Sequence, residues 1–194
     1  IFAHGWWTNE GEKISKSIGN VIEPIELINT FGLDQVRYFL IREVPFGNDG
    51  DFSKQSLIHR INSDLSNNLG NLFQRVITFS IKNCDGKIPD PFNDFKKCDL
   101  EIIDCFQEEL NKIRDLINNQ KLDEVLKLLW IKISNANKYI DEQEPWNLKK
   151  SDVNRMNVVI YCLIESLRQI ALFIQPFIPD TAKKILDSLS INNK

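Results

Sequence analysis

Apolar positions fall into helical register over most of this chain. From Lys54 to about Cys84, the residues Ile58, Ile61, Leu65, Leu69, Leu72, Phe73, Val76 and Ile77 recur every three or four positions. That spacing predicts one long helix with a continuous buried stripe. At ~1.5 Å per residue it would be a rod roughly 45 Å long. Ser53 stands where its N-cap belongs. The same periodicity predicts helices over 99–119, 122–143 and 152–175. The first carries Ile102, Ile103, Phe106, Leu110, Ile113 and Leu116, and the second Val125, Leu128, Leu129, Ile131 and Ile133. A short last helix opens at Pro179-Asp180 and ends near Leu189, and residues 85–98, with Gly86, Pro89 and Pro91, read as a loop.

Ahead of the rod the pattern changes. Ile1 to Thr8 is rich in aromatic and β-branched residues, and Asn9-Glu10-Gly11-Glu12 supplies turn chemistry, so a strand or hairpin is expected. Pro24 opens a short helix with Ile25, Leu27, Ile28 and Phe31 on its apolar side and Gly32 just past its end. Asp34 is placed to cap a second helix through Glu43, burying Val36, Phe39 and Leu40 before Pro45 closes it. Phe46 to Phe52 is turn-rich. The expected fold is mainly α. An antiparallel helix bundle over residues 53–194 follows a small mixed α/β segment over 1–52. The opening residues carry neither an initiator Met nor a charged leader, and they read like the middle of a domain.

Composition narrows the classes without naming one. The 194 residues are 42% hydrophobic and 26% charged, ordinary for a soluble globular chain. No uninterrupted apolar run reaches about 18 residues, so no membrane association is expected. The net charge of −3 means that any nucleic-acid partner must be held by local patches and shaped contacts. Cys84, Cys98, Cys105 and Cys162 show no C-x-x-C spacing, and neither histidine, His4 or His59, lies beside one of them. No metal site is expected, and the thiols read as free in a reducing cytoplasm.

One loop and one helix face carry candidate chemistry. In Lys13-Ile14-Ser15-Lys16-Ser17-Ile18-Gly19-Asn20, two ammonium groups three residues apart are interleaved with hydroxyls. A triphosphate needs that combination: charge to offset the departing pyrophosphate, and small donors to orient it. For the bare five residues a solvated Lys/Ser turn is the more ordinary reading, so the motif alone is weak. On the predicted rod, Asn71 and Arg75 are four apart and share a face. Farther on, Asn137, Asp141 and Pro145-Trp146 lie at the end of a predicted helix. An amide, a guanidinium fork and an indole are what an unpaired base asks for, though a solvated Asn/Arg face and a Trp core plug share the pattern. Trp6 and Trp7 read as packing residues beside the loop, and Trp130 as core.

The flanks of the loop decide between these readings. His4-Gly5 lies upstream, Ser17-x-Gly19-Asn20 follows, and then come Gly32-Leu33-Asp34-x-Val36-Arg37-Tyr38-Phe39-Leu40 and Arg42-Glu43-Val44-Pro45-Phe46-Gly47-Asn48-Asp49-Gly50-Asp51-Phe52-Ser53. Together they resemble the second signature of class I aminoacyl-tRNA synthetases, KMSKS, with Ile14 at the Met position, and the lead into the anticodon domain of the methionyl-tRNA synthetase family. The resemblance covers essentially the whole chain. It implies that residues 1–52 close a Rossmann-type catalytic domain. It also implies that Lys16, with Lys13 as companion, contacts ATP and stabilises the transition state of adenylate formation. Ser15, Ser17 and His4 would lie near the same nucleotide, which is taken with magnesium as substrate. Asn71, Arg75 and Trp146, with Pro145 and Asp141, would read the CAU anticodon of a methionine tRNA. The lysines Lys149, Lys150, Lys183 and Lys184 are expected to be solvated.

Two other readings stay open: a stand-alone RNA-binding module, and a class I synthetase for cysteine, leucine, isoleucine or valine. The family's first signature, HIGH, and a methionine pocket are nowhere in these 194 residues. The chain by itself is therefore expected not to activate methionine.

Overall fold

In a computed structural model, which describes residues 3–91, 94–104, 106 and 109–190, the chain begins with a tight hairpin. Glu10 and Gly11 both take left-handed backbone, at φ 52° and 81°. That geometry matches the twist of a two-residue hairpin turn. It joins β1 (Trp7–Asn9) to β2 (Glu12–Lys13), with Thr8 opposite Lys13 and Asn9 opposite Glu12. Helices α1 (Pro24–Phe31) and α2 (Leu33–Glu43) then carry the chain to β3 (Gly50–Phe52). β3 pairs parallel with the free edge of β1, giving the order β2-β1-β3. This strand lies where only a turn was expected, because its pairing partner is some forty residues away and leaves no local signal. Ile1 and Phe2 of the expected strand lie outside the described residues.

Side chains fasten this small sheet. The Asp49 carboxylate accepts from the Trp6 amide at 2.8 Å. Asp51 accepts from the Thr8 hydroxyl at 2.5 Å and the Gly11 amide at 2.8 Å, and those two bonds hold its carboxyl below the usual range. Gly5 passes so close to the Asn48 carbonyl oxygen that a Cβ would sit 2.1 Å from it.

Ser53 caps α3 (Lys54–Arg60), accepting from the Ser56 amide at 3.4 Å. The rod expected from Lys54 to Cys84 runs unbroken, but it is not uniform. A π-helical segment, Ile61–Gly70, separates α3 from α4 (Asn71–Asn83). Its sequence, INSDLSNNLG, is rich in short polar side chains, and two of them, Asp64 and Asn68, bond to other elements. Asp64 receives the Tyr38 hydroxyl at 2.7 Å, and Asn68 is joined to Asn137 at 2.8 Å and Ser134 at 3.1 Å.

The helix expected over 99–119 is two pieces, α5 (Lys97–Ile103) and α6 (Leu110–Asn118). Asp104 leaves helical geometry between them, and Cys105, Gln107 and Glu108 lie outside the described residues. Three further helices complete the bundle with α7 (Leu122–Gln143): α8 (Pro145–Ser151), α9 (Val153–Ile174) and α10 (Pro179–Ser188). α9 is long and apolar enough to cross a membrane by length and composition, at a mean hydropathy of 1.5. Here it is the central helix of the bundle, packed against α5, α7, α8 and α10 and buried from Met156 to Ile174 on its apolar side. Arg155, Glu165 and Arg168 are the charges that keep it from being an unbroken apolar run.

Two apolar cores result, and α2 belongs to both. Phe39 packs with Phe52 and Leu57 in the smaller one, whereas Tyr38 enters the large bundle core. The Tyr38 ring lies 4.5 Å from that of Trp130, whose indole N–H donates to the Asp64 carbonyl at 3.2 Å. Burial, and then the Asp64 carboxylate, push the Tyr38 hydroxyl far above its ordinary range. Two expectations for α2 need correction. Gly32, not Asp34, is its N-cap; Asp34 is buried and accepts from the Thr181 amide at 2.6 Å, at the start of α10. Leu40 is exposed because its neighbours Phe39 and Tyr38 take the two packed directions.

Inside the bundle, Asp99 and Arg155 form a fully desolvated pair. The guanidinium donates to both carboxylate oxygens, at 2.5 and 2.8 Å, and the Tyr139 hydroxyl and Lys96 amide donate as well. Burial by itself would raise the Asp99 carboxyl, but these four donors outweigh it and hold it at about 2. The pair ties α5, α7 and α9 together.

Candidate functional site

The signature loop hangs from the hairpin. Its clasp is Asn20, which no motif reading singled out as structural. The Asn20 side chain donates to the Lys13 carbonyl at 3.1 Å and accepts from the Ser15 amide at 2.8 Å. Its own carbonyl accepts from the Asn9 side chain at 2.8 Å, so the loop is pinned back to β1. Ile18 and Gly19 donate to the Ser15 carbonyl and close a tight turn. The Ser15 and Ser17 hydroxyls lie 2.8 Å apart. Ile14 is half-buried, whereas Lys13 and Lys16 are exposed. Among the described residues neither ammonium is ion-paired, which leaves both charges available to an anion.

His4 stands apart from these groups. Its ring hydrogen-bonds the Gly5 carbonyl at 2.7 Å, and it lines a separate hollow with Trp7, Leu40, Val44 and Phe46. Trp7 packs against Phe39, with ring centroids 6.4 Å apart, but Trp6 does not pack as expected. Trp6 is 79% exposed, since alternation along the strand turns it away from its neighbour.

The second constellation assembles from three helices. Asn71 and Arg75 lie on α4, Asp141 in the last turn of α7, and Trp146 in the first turn of α8. Glu144 makes that junction: in left-handed backbone, at φ 44°, it ends α7, and Pro145 starts α8 with its fixed φ. Trp146 therefore begins a helix that was not expected, rather than ending α7. Pro145 itself is buried, so its ring is not open to a ligand.

Arg75 is the hinge of the face. Its guanidinium is 2.5 Å from the Asp141 carboxylate and lies over the Trp146 ring, 5.8 Å from the centroid. Beside it opens a hollow of about 470 Å³, lined by Asn71, Arg75, Phe79 and Trp146 and floored by Ile140. Gln74, Thr78, Lys82 and Asn83 complete the lining. The sequence reading missed these four and Phe79, although they continue the Asn71/Arg75 face at helical spacing. Asn137 is not part of the hollow; its amide is spent on Asn68. Among the described residues no group of three or more metal-ligating side chains is gathered.

Comparison with known proteins identifies both regions. Residues 1–77 match the family model for class I tRNA synthetases (M), and residues 96–194 match that for the anticodon binding domain of methionyl tRNA ligase. Over 196 residues the chain is 50% identical to a methionine–tRNA ligase of Rickettsia felis, which spans all of this chain and 38% of that protein. A methionine–tRNA ligase of Brucella suis is 47% identical over 98% of the chain and 37% of its own length. The Mycobacterium tuberculosis methionyl-tRNA synthetase in complex with methionyl-adenylate superposes with a TM-score of 0.92 at 44% identity, over 96% of this chain and 37% of that one. The chain thus spans under two-fifths of these relatives. The match on methionyl family models sets aside a synthetase for cysteine, leucine, isoleucine or valine. By both its halves, the chain belongs to the methionyl-tRNA ligase family of class I synthetases.

Proposed function

We propose that this chain supplies the ATP-side loop and the tRNA-reading face of a methionine–tRNA ligase working in the cytoplasm. Residues 1–52 belong to the catalytic part and 53–194 to the tRNA-binding part. In this reading Lys16 and Lys13 offset charge on the pyrophosphate leaving ATP, which enters with magnesium, while Ser15 and Ser17 orient it. The loop's exposure and its unpaired ammonium groups support that role. His4 lies near the nucleotide, and methionine is held by parts of the relatives that this chain does not span. Activation and transfer to the tRNA are then the work of the whole protein.

On the other side, Trp146 offers a stacking platform, while Asn71 and Arg75 meet base edges. Pro145 and Asp141 hold the indole and guanidinium in place. The observation that carries this reading is Arg75 poised between Trp146 and Asp141 at the mouth of an open hollow. Binding of the chain to methionine tRNA with its CAU anticodon, against the same tRNA with the anticodon altered, tests it. Preference for CAU is expected; equal affinity would reject anticodon reading.

A further inference from the structure

The hollow beside Trp146 extends beyond the groups assigned to base reading. Lys82 lies seven residues past Arg75 on α4, about 10 Å along the helix axis. That is too far for both cations to serve one base. Lys82 lines the same hollow and is exposed, and among the described residues nothing pairs with its ammonium. The lining holds two cations and no carboxylate, on a chain whose net charge is −3. The nearest acid to Arg75, Asp141, is already engaged by it. Around Lys82 stand Thr78, which can hydrogen-bond, Asn83, whose side-chain amide donates to the Phe79 carbonyl at 2.8 Å, and Phe79, which gives an apolar wall.

Resting on the tRNA reading above, we infer that Lys82 grips a backbone phosphate of the single strand whose base meets Arg75 and Trp146. An ammonium is a compact point charge on a flexible stem, suited to a phosphate and indifferent to base identity. Lys82 therefore fixes where the strand lies, while Asn71, Arg75 and Trp146 decide which strand is accepted. A lysine in the last turn of α4 also favours the helix end electrostatically. The two roles separate in solution, because losing a phosphate contact flattens the salt dependence equally for every strand, whereas losing an uncharged base contact such as that of Trp146 does not.

Titrating the chain and its Lys82→Ala and Lys82→Gln variants with methionine tRNA and with the altered-anticodon tRNA, across a salt series, tests the inference. Both variants are expected to lose about 3- to 10-fold in affinity at low salt, equally for the two tRNAs, with a salt slope shallower by about 0.7 to 0.9. Lys82→Arg should keep the slope, and Lys112→Ala, a lysine on α6 outside the hollow, should not alter it. An unchanged slope in folded Lys82→Gln, or a loss confined to the CAU tRNA, overturns the phosphate role. A wild-type chain that ignores the anticodon while Lys82→Gln still flattens the slope would reject anticodon reading and leave the phosphate contact standing. No binding to either tRNA at low salt overturns both.

Discussion

The Arg75 guanidinium lies over the Trp146 indole, 5.8 Å from its centroid, although the two residues belong to helices joined only through the bundle. Asp141 meets the guanidinium from one side while the ring faces it from another. The pair is exposed enough to meet a ligand: Trp146 keeps 40% of its surface.

Trp146→Ala should weaken binding of the CAU tRNA by about 1–3 kcal/mol, the scale of one lost base–aromatic contact. The loss should be smaller for the altered-anticodon tRNA. Fluorescence titration of the variant checks this; an equal loss for both tRNAs would remove the indole from base recognition.

Lys16→Ala, introduced into a ligase of the relatives' full length, should slow methionine-dependent ATP–pyrophosphate exchange by about 10²-fold or more, a few kcal/mol of transition-state stabilisation. Its tRNA affinity should be unchanged. The 194-residue chain alone is expected to give no exchange. Wild-type exchange from the Lys16→Ala ligase would end the loop assignment.

The Asp99–Arg155 pair sets an acid limit on the bundle. The Asp99 carboxyl is held at about 2, below its ordinary 3.8, so it stabilises the fold above about pH 4. That contribution, about 2 kcal/mol, fades as pH falls through its folded value. Asp99→Asn should lower stability by about 3–5 kcal/mol at neutral pH, since Arg155 is left buried without its partner. Denaturant melts of both proteins from pH 7 to pH 2 measure the difference, which should narrow below about pH 4. A gap that stays constant would show that the carboxylate's charge is not what matters there.

Gly5→Ala should loosen β1 from the segment leading into β3, because the new methyl would fall 2.1 Å from the Asn48 carbonyl oxygen. Faster amide exchange at Gly50, whose N–H donates to the Trp6 carbonyl at 2.8 Å, is the expected sign. Unaltered exchange there would mean that the strands can shift apart without cost.

Much of the helical architecture was legible because its signal is local. The stripe on α7, the Ser53 cap and the Gly11 turn each follow from residues within a few positions of one another. Local rules failed where a distant partner won. Asp34 looked like a cap for its own helix, yet the start of α10 holds its carboxylate. An even rod was expected from the apolar stripe, whereas Asp64 and Asn68, which lie off that stripe, bond across to α2 and α7 from a π-helical segment.

The candidate site residues divide along the same line. The sequence alone determined the loop with its two lysines and the Asn71/Arg75 face, since chain spacing within a single turn or helix is enough to set them. The tertiary structure decided that Asp141 and Trp146 close on Arg75, that Pro145 is buried, that Asn20 clasps the loop, and that Lys82 shares the hollow. Those relationships depend on how α4, α7 and α8 pack around a common core, and side-chain packing between elements has no period along the chain.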